Sequence, residues 1–268
     1  MNKGTRQTVR PVTRPYLTGS VTDENTVKGA LGFLGLMVVV AVMTFLVCSM
    51  TSFDSGILRV LVNAAVVTLV LVILYNQGLG RGADAVARGE TMYQRREKGL
   101  SVSESEIRVC YHPLKGFMMA LIGVSPLILI ALVLAVTTRQ TVTGYGTLPS
   151  WLNAYMGRSE VGPALIAYTE VEGMSFLDIL RVIVRILIMP FISMIGPANR
   201  AGLLWVERLS PLILLLPPAA YGIGYWRGTS VRTRIHTEIS ENAKRRRKRE
   251  MKARKKRMAA PKGPEQLN

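Results

Sequence analysis

FLDILRVIVRILIMPFISMIG, residues 176–196, is the stretch whose reading decides how often this chain crosses a bilayer. It is long enough to traverse about 30 Å of hydrocarbon as a helix. Asp178, Arg181 and Arg185 fall at i, i+3 and i+7, which puts all three on one helical face. Three central charges cost about 8–10 kcal/mol on an insertion scale, and the thirteen Leu, Ile, Val and Phe residues return roughly 4–8. Insertion as an ordinary span is therefore marginal. Met189-Pro190 marks a stop or a kink.

Working outward, four other apolar runs carry no such stripe. They cover 29–50, 57–75, 117–136 and 203–226, the last with Glu207 and Arg208 near its outer end and Pro217-Pro218 interrupting it. Pro126 predicts a kink in the third. Charge arbitrates between four crossings and five, because Lys and Arg accumulate on the cytoplasmic side. The chain holds 34 Lys and Arg against 17 Asp and Glu, a net +17, and fifteen of the basic residues lie in 227–268. Five crossings divide the flanking basic residues 14 to 17, with no excess in either orientation. Four crossings leave 27 inside and six outside, namely Arg139, Arg158, Arg181, Arg185, Arg200 and Arg208.

The expected architecture is thus an all-α integral membrane protein with four transmembrane helices and both termini cytosolic, in the cytoplasmic membrane. Residues 176–196 add an amphipathic or re-entrant helix on the outer face, a fifth full span being the alternative. In order, the segments are a polar basic N-terminus (1–28), a transmembrane hairpin (29–75) and a charged helical loop (76–116). The third span (117–136), an outer-face loop with its helix (137–202), the last span (203–226) and a basic cytosolic tail (227–268), helical over 231–258, follow. An aromatic-bearing loop is expected around Gly144-Tyr145-Gly146, Pro149 and Trp151.

Local signals refine this. Residues 1–26 lack an apolar pattern and are expected to be disordered or to lie on the surface. Gly29, Gly32 and Gly35 would let a neighbouring helix approach closely, and Arg59 would snorkel to water. Gly78-Leu79-Gly80-Arg81-Gly82 is expected to be a hinge before a separate helix at 83–98, which Gly99 ends and which Ser103 and Glu106 follow with a new start. Tyr221, Tyr225 and Trp226 predict an inner aromatic anchor. Val231, Ile235 and Ile239 repeat every four residues, as a helix packed on a partner or on the loop helix would.

Catalytic chemistry is not indicated. The two histidines, His112 and His236, lie in different polar regions, and no HExxH, GxSxG or paired metal-ligand motif occurs. Cys110-Tyr111-His112 is half a metal site at most, and His112-Pro113 reads as a turn. No cofactor or metal is expected, and the chain is not expected to be an enzyme. Asp178, Arg181 and Arg185 form the candidate polar membrane site, since ionisable groups at membrane depth often mark solute or ion paths. Lys244, Arg245, Arg246, Arg247, Lys248, Arg249, Arg254, Lys255, Lys256 and Arg257 form a candidate anionic-surface site. Its possible partners are anionic lipid head groups, a protein subunit, or the ribosome or RNA. Two functions follow: a small transporter or membrane subunit of a transport complex, and a non-catalytic scaffold or assembly factor recruiting a cytosolic partner through its tail.

Overall fold

A computed structural model describes residues 11–50, 55–138, 155, 158–164, 176–196 and 199–259. All regular structure among these residues is helical. The helices are α1 (Glu24–Met50), α2 (Gly56–Glu97), α3 (Glu104–Arg108), α4 (Lys115–Thr137), α5 (Phe176–Leu187), α6 (Met189–Ile195), α7 (Arg200–Ile213), α8 (Leu216–Trp226) and α9 (Gly228–Ala259). Four stretches are long and apolar enough to cross a membrane: α1, α2, α4 and the run Ala201–Lys255, which contains α7 and α8. They suggest a multi-pass membrane protein. Their outward faces agree, because Val38, Val42, Leu46, Leu61, Leu69, Val72, Leu129 and Val133 are all exposed. A water-soluble surface does not tolerate so large an apolar area.

α1 packs on α4, and α2 packs along α8. The end of the bundle where α1 stops and α2 begins is termed the loop end; the opposite end, from which α9 emerges, is the tail end. A core of Phe33, Met37, Leu74, Ala120, Val124, Leu134, Val184, Ile188 and Leu214 joins the helices. α1 and α2 hardly touch. Near the loop end the Cys48 thiol donates to Asn63 Oδ1 at 3.2 Å, and a cleft separates the two helices toward the tail end.

The expected hinge is absent. α2 runs unbroken from Gly56 to Glu97, and the glycines at 78 and 82 serve contact instead. A Cβ on Gly78 would run into the Tyr221 carbonyl of α8, and one on Gly82 into that of Tyr225. Reciprocally, a Cβ on Gly224 would strike the Tyr75 carbonyl, and one on Gly228 the backbone of Gly82. Two small-xxx-small pairs, Gly78/Gly82 and Gly224/Gly228, therefore bring parallel helices backbone to backbone. Among the glycines of α1, Gly29 meets only the Met119 side chain, whereas Gly32 and Gly35 face open space. Close approach on that side comes from Gly123, whose Cβ would press on the Ala30 carbonyl.

Helix ends follow their local chemistry. Gly99 has φ +74°, and the Leu100 and Gly99 amides donate to the Arg95 and Arg96 carbonyls, a Schellman ending for α2. Glu106 Oε2 accepts from the Ser103 amide at 3.1 Å, the return bond of a capping box for α3. Pro190 starts α6 after a break at Ile188, and Pro217-Pro218 occupy the first turn of α8, where proline costs little.

The segment 11–23 lies against the bundle without forming a helix. Its extended backbone straps the tail end: Val12 N donates to Thr237 Oγ1, Leu17 N to the Gly89 carbonyl, Gly19 N to that of Tyr111, and Ser20 N to that of Arg108. These hydrogen bonds, with Tyr16 packed edge-on against Tyr111, hold it without an apolar pattern. The aromatic loop expected around Gly144 to Trp151 lies outside the described residues.

Candidate functional site

The charged stripe of α5 is turned into the protein. Asp178 and Arg181 are buried, whereas Phe176, Leu177, Ile179, Val182 and Ile183 face outward. A helix lying in the interface would show its charges to water, and this one does the reverse. At its start Arg181 Nη1 donates to Asp178 Oδ1 at 3.3 Å, and Arg181 Nη2 reaches Thr138 Oγ1, just past the end of α4, at 3.4 Å. Beyond the break, Ile195 returns to the loop end, where Arg59 Nη2 donates to its carbonyl at 3.4 Å. Arg59 thus folds over Gly196 rather than reaching for water, because a carbonyl lies within its grasp. Both ends of the α5–α6 hairpin sit at the loop end, and its turn at Ile188 is buried in the main core.

The residue that organises the stripe is Glu207 of α7, itself 2% exposed. Arg185 Nη2 and Nε approach Glu207 Oε1 at 2.6 and 2.7 Å. Thr138 donates to Oε2 at 2.6 Å, and Arg181 Nε lies 3.7 Å from the same oxygen. Among the described residues two carboxylates and two guanidinia balance in this cluster. It ties α4, α5 and α7 together, which makes it a lock on the hairpin. The sequence marks Glu207 only as a charge near a span end, because nothing in the spacing links it to Arg185.

At the tail end a second polar cluster joins α2 to α9. Arg232 Nη2 pairs with Glu90 Oε2 at 2.5 Å, and His236 Nε2 lies 2.8 Å from Glu90 Oε1. Burial raises the Glu90 pKa, but hydrogen bonds from Arg232 and His236 and their charge outweigh it, so the carboxyl sits below its ordinary 4.5. A depressed carboxylate stabilises the fold above its unfolded pKa and loses that contribution as pH falls through the folded value. The Tm difference between the wild type and Glu90→Gln is therefore expected to be widest at neutral pH and to shrink as pH drops below 4.5. A difference that stays constant with pH in detergent melts would refute this assignment.

Lys115 and Asp23 form a third buried pair at 2.8 Å, with Lys115 Nζ also donating to the carbonyls of Arg108 and Cys110. Tyr111 stacks on Tyr225, with ring centroids 5.6 Å apart, and donates to the Trp226 carbonyl at 2.8 Å. Tyr221 and Tyr225 are consequently buried core residues, and of the expected aromatic anchor only Trp226 is exposed. His112 accepts from the Leu114 amide within a turn, and no group of three metal-ligating side chains occurs among the described residues.

No protein-family profile, curated protein or solved structure matches this chain. Its own geometry must carry any functional reading.

The tail residues fall into two groups. Arg232 and His236 are held against α2, and Val231 and Ile235 are half-buried, whereas Ile239 is exposed. From Asn242 to Lys255 every residue is exposed, including Lys244, Arg245, Arg246, Arg247, Lys248, Arg249, Arg254 and Lys255. Two exposed i, i+4 pairs, Arg245–Glu241 and Arg246–Glu250, add minor helical support. The cleft between α1 and α2 is a second open feature. It holds about 440 Å³ and is lined by Lys28, Arg81, Asp84 and Arg88 at its mouth, with Gly32, Phe33 and Leu36 deeper.

Proposed function

We propose that this protein is a membrane scaffold that presents a stiff basic helix to an anionic partner in the cytosol. The observation that carries the reading is the mounting of α9. Gly228 seats it on Gly82, Glu90 clamps Arg232 and His236, and Val12 holds Thr237. The part that follows, 242–255, projects about 20 Å with its basic side chains exposed on all sides. A topological anchor needs only charge beside a span, and would need no such mount. The four-span topology puts this helix inside, since 27 basic residues then lie on the cytosolic side, and it makes α5–α6 a re-entrant hairpin from the outer face.

Deleting residues 244–257 is expected to release the partner in co-purification while membrane insertion persists. Cysteine labelling at positions 147, 200 and 230, reading outside, outside and inside, provides the insertion control. Partner recovery unchanged by the deletion would sink the scaffold reading. A second reading, a small transporter or transport-complex subunit, is favoured by the cleft between α1 and α2. Asp178, Arg181 and Arg185 support it less, since Glu207 and Thr138 already occupy the two arginines.

A further inference from the structure

We infer that the cleft between α1 and α2 is a binding site for an anionic phospholipid, its phosphate held at the tail-end interface and one acyl chain lying between the two helices. This goes beyond the scaffold reading and rests only on α1 and α2 spanning the membrane.

Charge at the mouth comes first. Lys28 enters from α1, and Arg81 and Arg88 from α2. None of the three has an ion-pair partner among the described residues, whereas Lys115, on the cleft wall, is neutralised by Asp23. Among the described residues Asp84 is the one unpaired carboxylate lining the cleft, so the mouth carries a surplus of two positive charges. Depth is the second element. Lys28 immediately precedes the apolar run of α1 and Arg81 follows that of α2 by under two turns, which sets both at the level of lipid phosphates, while Arg88 stands about two turns farther out along α2.

Shape is the third. Above the charges the walls become apolar: Gly32, Phe33 and Leu36, with Met119 from α4. Further along α1 lies a small apolar slot, lined by Met37 and Val40 of α1 and Val67 and Leu71 of α2 together with Leu187 and Phe191 of the α5–α6 hairpin. Because α1 and α2 hardly touch, the cleft lies between two membrane helices, and α6, which packs on both, closes it toward the loop end. A free phosphate would satisfy the mouth and leave the apolar path without a role. A lipid fills both. Basic pockets between transmembrane helices on the cytoplasmic side are a known place for anionic head groups.

Gly32 allows a clean test, because a Cβ there meets nothing within 4 Å although the residue lines the cleft. Gly32→Phe should fill the path without disturbing helix packing. Gly35→Phe, also facing open space but outside the cleft, is the matched control. The full chain in nanodiscs of mixed phosphatidylglycerol and phosphatidylcholine would be exposed to a photoreactive phosphatidylglycerol, and crosslinked peptides mapped. Crosslinks are expected in 28–36 and 77–88, displaced by excess phosphatidylglycerol but not by inorganic phosphate. They should fall about tenfold in Gly32→Phe and in the triple variant Lys28→Gln/Arg81→Gln/Arg88→Gln, and stay at the wild-type level in Gly35→Phe. Competition by inorganic phosphate, equal displacement by phosphatidylcholine, or labelling confined to the 244–257 tail would each overturn the assignment. So would wild-type labelling in both cleft variants.

Discussion

Glu207→Ala is expected to destabilise the protein by about 3–5 kcal/mol, several times what the loss of an exposed ion pair would cost. Removing this carboxylate leaves Arg181, 5% exposed, with Asp178 and the Thr138 hydroxyl among the described residues, and takes from Arg185 its buried partner. Breaking a buried pair costs more than the pair contributed, because the surviving charge stays desolvated. Among the described residues Arg181 Nε already lacks a hydrogen-bond acceptor. The same logic predicts partial rescue: Arg181→Met combined with Glu207→Leu should recover a good part of the loss, since a packed apolar pair replaces an orphaned charge. Unfolding in a denaturing-detergent titration would measure both. A Glu207→Ala loss below about 1 kcal/mol would mean that the cluster is hydrated and does not lock the hairpin.

How far the sequence reaches is clearest at α5. The i, i+3, i+7 stripe and Met189-Pro190 announce a charged, broken helix, and α5 and α6 meet at that break. Local rules also locate the ends of α2 and α3, because a glycine after a helix and a serine before one act within a single turn. What stays hidden is long-range pairing. Glu207 meets Arg185 across 22 residues and Glu90 meets His236 across 146, and no periodicity encodes either separation. The strap at 12–20 is equally invisible, since the backbone hydrogen bonds, the Tyr16–Tyr111 contact and the close approaches at Gly19 and Gly89 that hold it carry no periodicity.

The glycine crossing, by contrast, is legible in the sequence but points two ways. Gly78-x-x-x-Gly82 and Gly224-x-x-x-Gly228 are each spaced for one helix face, yet the extra Gly80 makes the first look like a flexible joint. Substitution separates the two ideas. Gly82→Leu is expected to cost about 3 kcal/mol or more, because its Cβ would occupy the space of the Tyr225 carbonyl and backbone cannot yield as a side chain can. The displacement would also pull Arg232 and His236 away from Glu90, so that α9 loses its clamp along with its seat. Gly80→Leu is the internal control, since nothing lies within 4 Å of its Cβ and leucine favours a helix by about 0.5–1 kcal/mol over glycine. A hinge would give the opposite ranking, with any stiffening of 78–82 equally harmful wherever it falls. Melting temperatures of the two variants in one detergent decide the matter: Gly80→Leu at or above the wild type and Gly82→Leu far below it means that contact, and not flexibility, is what those glycines provide. Equal losses in both would restore the hinge and remove the seat on which the presentation of α9 depends.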